Sequence, residues 1–136
     1  MNVAVATIVG VKVSSLLGTI SEAISLIKSV PGALDALARI KEAILNLAGK
    51  RSDNIDEDSP LGALAKSEEE AIRRLMEEFS KIQDRPDLDD YTKDIHRKRI
   101  AARLCRLFGL LEKLLKDYIK EYDKTRAVFC DFAKNA

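Results

Sequence analysis

Apolar residues recur at three- and four-residue steps through most of this chain, the spacing of one face of an α-helix. The pattern predicts helices over about 3–30, 33–48, 60–83, 91–122 and 125–133. Short apolar-striped helices with brief connections pack most simply as a bundle. The predicted fold class is therefore all-α: one domain over 1–136, an up-and-down bundle of four to five helices with an apolar N-terminal helix and a long C-terminal helix.

Helix boundaries are marked by local breaking and capping residues. Pro31-Gly32 interrupts the first pattern, because proline disfavours helix in the residue before it. Gly49 stands where the cap after the second helix is expected, and Ser59-Pro60 combines an N-cap hydroxyl with proline at the first helical position. Asp89 or Asp90 is expected to cap the last long helix.

The last apolar stripe continues from Ile95 to Tyr122 without proline. A single helix of about forty residues would be roughly 60 Å long, far longer than its partners. We therefore expect a break near Asp123–Thr125, with a short terminal helix folding back onto the bundle.

The first thirty residues contain only three charged side chains, Lys12, Glu22 and Lys28. The opening turns are rich in β-branched residues, which are weak helix formers, so helix there depends on apolar surroundings. Residues 1–11 are apolar on every side, which requires complete burial, pairing with another chain, or entry into lipid. The candidate inserting or partner-docking residues are Val3, Val5, Ile8, Val9, Val13, Leu16, Leu17 and Ile20.

The net charge of +1 conceals an acidic middle and a basic last third. The basic side chains crowd the start of the last long helix. The structural interpretation is that they pair with the glutamates of helix three, Glu68–Glu70 and Glu77–Glu78, which are expected to face mostly solvent. The functional interpretation is contact with anionic lipid or a protein partner. The residues of this cluster are Lys93, Arg97, Lys98, Arg99, Arg103 and Arg106.

Catalysis, cofactor binding and nucleic-acid binding are not expected. His96 is the only histidine, which excludes a metal site with two histidine ligands, and the acids around Asp87 lack the glycine of a calcium loop. The basic cluster has no interleaved aromatic residues and the net charge is near zero, so nucleic acid is a poor partner. The chain is predicted to be non-enzymatic, with no cofactor and no metal.

The two cysteines, Cys105 and Cys130, do not make a disulfide framework. No basic region precedes the apolar start, so a cleaved signal peptide is not expected. We expect two buried thiols in a reducing compartment, and hence a cytoplasmic protein, with recruitment to a membrane as an open alternative.

The order of segments resembles the HeLo-like and SesA-like N-terminal helical bundles of fungal NLR-type cell-death proteins. Those bundles open with an apolar helix, here AVATIVGVKVSSLLGTISEAISLI, followed by a break and a second striped helix, here ALDALARIKEAILNLAG. The resemblance implies a membrane-perturbing effector whose first helix is released on activation. Lys12 within the leading helix departs from this pattern, as does the lack of a nucleotide-binding or amyloid-forming segment.

Two hypotheses follow. In the first, the protein is a membrane-targeting or cell-death effector module of innate immunity, whose N-terminal helix inserts while the basic cluster contacts anionic lipid. In the second, it is a helical protein–protein interaction or oligomerisation module, docking on a partner or a second copy of itself, and the membrane has no role.

Overall fold

The computed structural model describes residues 10–49, 53–115 and 120–134. Its elements are β1 (Gly10–Lys12), α1 (Val13–Leu26), α2 (Ala33–Ala48), β2 (Asn54–Asp56), α3 (Pro60–Ser80), α4 (Asp90–Leu114) and α5 (Lys120–Ala133). The prediction of an all-α helical bundle is confirmed. Within the described residues, the helices contact one another as a closed ring, in the order α1, α2, α5, α4 and α3.

The local boundary signals are confirmed for α2, α3 and the start of α4. Helix α2 has the predicted bounds, between Gly32 at φ +84° and Gly49 at φ +74°. The Ser59 hydroxyl accepts the Gly62 N–H at the start of α3, and Asp89 accepts the Thr92 N–H at 2.8 Å at the start of α4. Helix α3 ends at Ser80 rather than Gln83, with residues 81–84 in turns.

The prediction that one helix begins near Val3 is wrong for residues 10–12. These residues form β1, which pairs antiparallel with β2 so that Val11 lies opposite Ile55. Val11 is β-branched, and such a residue favours an extended strand over a helical turn once a partner strand is present. Helix α1 begins only at Val13, and the predicted residues 3–9 lie outside the described part of the chain.

The predicted break near Asp123–Thr125 is also misplaced. Helix α4 ends at Leu114, where Leu115 is extended with ψ 126°, and α5 already contains residues 120–125. The break therefore lies about one to two turns earlier than the pattern predicts, and the apolar stripe continues across it.

A shared core lies inside the ring. All five helices contribute side chains that are removed from solvent. The largest fully buried ones are Leu16, Ile20, Ile24, Ile27, Ile40, Ile44, Ile72, Ile100, Leu104, Leu107, Phe108 and Phe129.

Candidate interaction surface

Helix α1 is a core helix in this structure. Leu16 and Ile20 are completely buried and Val13 is 4% exposed, whereas Leu17 is half-buried. The remaining candidates for insertion, Val3, Val5, Ile8 and Val9, lie outside the described residues. Insertion of α1 into lipid would therefore require the helix to leave its contacts with α2 and α3.

The first turn of α1 is capped by a residue far away in sequence. Lys12, at the N-cap position, makes no capping bond with its side chain. Instead, Asp53 accepts the Ser14 N–H at 2.8 Å and the Ser14 hydroxyl at 2.5 Å, and its carbonyl accepts the Val13 N–H at 2.8 Å. The hydrogen bonds from Ser14 are the main reason that the pKa of the Asp53 carboxyl lies below its ordinary value. The segment before β2 thus satisfies orphan donors of α1.

A second polar contact joins α1 to α3. The Glu69 carboxylate accepts hydrogen bonds from the hydroxyls of Ser15 and Thr19, the latter at 3.2 Å. Thr19 is fully buried, and Arg73 approaches the same carboxylate from the next turn of α3 at 3.3 Å. Asp53 and Glu69 together form what we call the acidic clasp of α1.

The basic cluster of α4 divides between internal pairing and the surface. Arg103 donates two hydrogen bonds to Glu68, at 2.7 and 3.0 Å, and Arg106 lies 3.6 Å from the same carboxylate. Glu68 is 1% exposed, so the expectation that this glutamate faces solvent is wrong. Its position on α3 faces α4, and burial of the charge is compensated by the bidentate arginine.

Two further members of the cluster pack on aromatic rings. The Arg97 guanidinium lies 5.3 Å from the centre of the Phe79 ring, and the Lys98 ammonium lies 5.8 Å from that of Phe132. Lys98 also pairs with Asp94 at 3.2 Å. These contacts hold the two cations against the α3 and α5 sides of α4.

The remaining basic side chains define an outer face of α4. Arg99, Arg106 and Lys113 are exposed and follow one another at seven-residue intervals, so they line one side of the helix over about 21 Å. Ala102 is exposed between them, whereas Lys93 is half-buried in the first turn. Lys113 was not among the predicted residues, although the seven-residue spacing from Arg99 would have indicated it.

No acid interrupts this outer face along α4, all of which the structure describes. Past the first turn, the acids of α4 are Asp94 and Glu112, which pair with Lys98 and with Arg126 of α5 respectively. Glu112 is largely buried, and burial raises the pKa of its carboxyl, opposed by the Arg126 charge. The face is therefore cationic, partly balanced only at Arg106 by the buried Glu68.

Cys105 of α4 and Cys130 of α5 form a disulfide bond, with their Cα atoms 5.0 Å apart. The expectation of two unpaired thiols is wrong. The bond could not be foreseen from the sequence, since a separation of 25 residues becomes a contact only when α5 packs on α4.

Apolar side chains are also exposed on α2. Leu34 is 64% exposed and Leu45 is 52% exposed, and their separation of three helical turns places them on the same side of the helix, with exposed Ala38 between them. We call these three residues the leucine face of α2. Beside it, a cleft of about 640 Å³ separates α2 from α5, lined by charged residues of both signs such as Asp35, Arg39 and Lys124.

In the described part of the chain, no helix is both long enough and apolar enough to cross a bilayer. Among the same residues, no cluster of three or more histidine, cysteine or acidic side chains is arranged to hold a metal ion. Comparisons with protein-family models, with curated proteins and with solved structures found no match to this chain.

Proposed function

We propose that this chain is a non-enzymatic membrane-targeting module that docks on anionic bilayers through the outer face of α4. The observation that carries this proposal is the line of exposed cations Arg99, Arg106 and Lys113, uninterrupted by acids of the same helix. A row of cations on one side of a helix can meet many lipid phosphates at once. Each such cation contributes about 1 kcal/mol near an anionic surface.

Docking by three cations is weak, and stable attachment generally needs a second, apolar anchor. The apolar N-terminal region supplies it in our proposal. Helix α1 leaves the core once the protein is docked, and places residues such as Leu16, Leu17 and Ile20 among the acyl chains. Burial of each large side chain in lipid is worth about 1.5–3 kcal/mol, which offsets their loss from the core.

The proposal also includes an effector role, in which the inserted helix damages the bilayer. The resemblance to HeLo-like bundles implies that release of the first helix damages the bilayer and triggers cell death, and we carry that implication here as part of the proposal. The acidic clasp of α1 is the contact that must open for release, because Asp53 and Glu69 hold the first turns of the helix.

Docking is tested by co-sedimentation with vesicles of anionic or neutral lipid. We expect binding to anionic vesicles only, and about 30-fold weaker binding for Arg99→Glu/Lys113→Glu, from the loss of two contacts of about 1 kcal/mol each. Arg106 is left in place because of its contact with Glu68. The matched control is Lys28→Glu/Lys81→Glu, which changes the charge equally at exposed sites in turns away from α4. An equal loss of vesicle binding in both variants would show that docking depends only on the net charge, and would contradict the proposal.

Insertion is tested separately with tryptophan, which the chain lacks. Leu17→Trp places the fluorophore on α1, and Leu64→Trp places it at a half-buried site of α3 as a control. With brominated lipid, we expect quenching of the first and not of the second. Docking without quenching at position 17 would remove α1 from the mechanism and leave a peripheral module.

The second hypothesis, an interaction module, is favoured by the leucine face of α2. Exposed leucines on one side of a helix are typical of helix-in-groove recognition. If it is correct, Leu34→Glu/Leu45→Glu abolishes association with a partner or second copy, while vesicle binding is absent in both proteins. Analytical ultracentrifugation without lipid, at increasing protein concentration, measures the self-association.

A further inference from the structure

We propose that the Cys105–Cys130 disulfide is a reversible latch that holds α5 over the bundle and releases it on reduction. The bond joins α4 to α5, and both cysteines are half-buried rather than enclosed in the core. It closes a loop that contains only the end of α4, the junction and most of α5. Helices α1, α2 and α3 lie outside that loop.

Helix α5 covers apolar surface that the rest of the bundle cannot cover. Phe129 is completely buried and Tyr122 is 6% exposed, with its ring centre 5.7 Å from that of Phe108 on α4. Val128 lies near Gly32 at the start of α2. Opening of α5 would therefore uncover an apolar strip between α2 and α4.

The polar contacts that hold α5 are modest, and its main attachment is the apolar packing of Phe129 and Tyr122 against the bundle. The helix has 14 residues, a length that is marginal for an isolated helix in water, so it depends on docking for its stability. The Arg126–Glu112 ion pair, at 3.2 Å, and the Lys98–Phe132 contact both lie partly at the surface. Once the covalent tie is broken, α5 can open without unfolding α1–α4.

The chemistry of release is thiol–disulfide exchange with a monothiol of the glutathione class. One thiolate attacks the Cys105–Cys130 bond, forms a mixed disulfide and frees one cysteine thiolate. A second thiolate attacks the mixed disulfide, frees the other cysteine and leaves as the oxidised disulfide of the reductant. In total, two thiols are oxidised, one protein disulfide becomes two thiols, and the reverse reaction closes the latch.

The expected effect is large because of the loop that the bond closes. The cross-link between residues 25 positions apart lowers the conformational entropy of the opened state. Reduction restores that entropy, and we expect it to raise the equilibrium constant for opening of α5 by roughly 100-fold or more. Amide hydrogen exchange reports this directly, because it resolves local opening from global unfolding.

The experiment compares hydrogen exchange in oxidised protein and in protein equilibrated with reduced glutathione, without lipid, so that its outcome is independent of the membrane proposal. We expect amides of residues 122–133 to exchange roughly 100-fold faster after reduction, while those of α1 and α3 keep their protection. Addition of oxidised glutathione restores the slow exchange. Cys105→Ser/Cys130→Ser should show fast exchange of α5 in both buffers, which controls for other effects of the thiol.

Three results would overturn the latch. Unchanged protection of α5 after complete reduction would mean that packing alone holds the helix. Simultaneous loss of protection in α1, α3 and α5 would mean that the bond stabilises the whole fold rather than α5 alone. Resistance of the bond to glutathione, with reduction only in denaturant, would make it permanent rather than reversible. If the double variant does not fold, the reduced wild-type protein still decides among these outcomes.

Discussion

Glu68 places a carboxylate inside the bundle at a position where an apolar side chain would fit the helical stripe. Its two oxygens are bound by Arg103, and Arg106 approaches within 3.6 Å. A buried pair of this kind is costly to break, because removal of one partner leaves the other charge without compensation.

We expect Arg103→Ala to lower the free energy of unfolding by about 3 kcal/mol, the lower end of the range for a buried pair, since Arg106 remains beside Glu68. Glu68→Met/Arg103→Met should recover most of that loss by removing both charges. Urea denaturation of the single and double variants measures the coupling. Additive effects would show that the two side chains do not act as a pair.

The Asp53 carboxylate, which caps α1, makes the stability of the folded protein depend on pH. Hydrogen bonds from Ser14 lower the pKa of its carboxyl in the folded state, so its stabilising effect is complete above the unfolded pKa, near 3.9, and is lost as the pH falls through the folded value. We expect the midpoint temperature of thermal unfolding to decrease as the pH is lowered below about 4. In Asp53→Asn this decrease should be smaller. Asp87 and Asp89, whose pKa values are also lowered, account for a remaining slope. An unchanged acid profile in the variant would contradict the capping role.

At the scale of the elements, the junction between β2 and α3 leaves no room for a side chain at Gly62. Gly62 lies in the first turn of α3, and a Cβ placed there would lie 1.9 Å from the carbonyl oxygen of Asp56. The same junction holds the Ser59 cap and presents β2 to β1. A side chain at position 62 would therefore displace the backbone at Asp56, which cannot give way as the end of a flexible side chain can.

Two glycine substitutions test this junction against an open helix position. Gly62→Ala should destabilise the protein by about 3 kcal/mol and disturb the β1–β2 pairing. Gly18→Ala, at an exposed site in α1 with no atom within 4 Å of the added Cβ, should stabilise it by about 0.5–1 kcal/mol. Thermal unfolding followed by circular dichroism compares the two. A neutral Gly62→Ala would mean that the turn can relax.

The element boundaries show which signals act locally. Helix α2 is bounded by Gly32 and Gly49, and both boundaries could be predicted because Pro31-Gly32 breaks the preceding helical pattern and Gly49 tolerates the positive φ that ends the helix. The end of α4 has no such residue. Its apolar stripe continues past Leu114, so only the packing of α5 against α2 and α4 locates the break.

The five described helices form a ring, and α1 contributes side chains to their shared core. This arrangement links stability to the proposed release, because any weakening of the α1 contacts lowers the cost of its departure. In a population of molecules, the released state then becomes more frequent even though the docking surface of α4 is unchanged.

A core substitution in α1 should therefore weaken the fold and strengthen the proposed activity. Ile24 is completely buried, and Ile24→Ala should cost about 2–4 kcal/mol. We expect it to increase dye release from anionic vesicles, whereas Leu104→Ala in α4, which is comparably destabilising, should increase it less. Equal release from both variants would indicate general unfolding on the membrane. Reduced release from Ile24→Ala would contradict the departure of α1.

The features that can be predicted from the amino-acid sequence are those that short-range interactions control. Apolar periodicity, proline, glycine and capping side chains act within a few residues, so the helical class, the bounds of α2 and the caps at Ser59 and Asp89 were readable from the chain. Helix packing instead sets the β1–β2 pairing, the burial of Glu68, the division of the basic cluster and the Cys105–Cys130 bond. Each of these depends on residues distant in sequence that meet only when the helices pack, and no local pattern encodes that meeting.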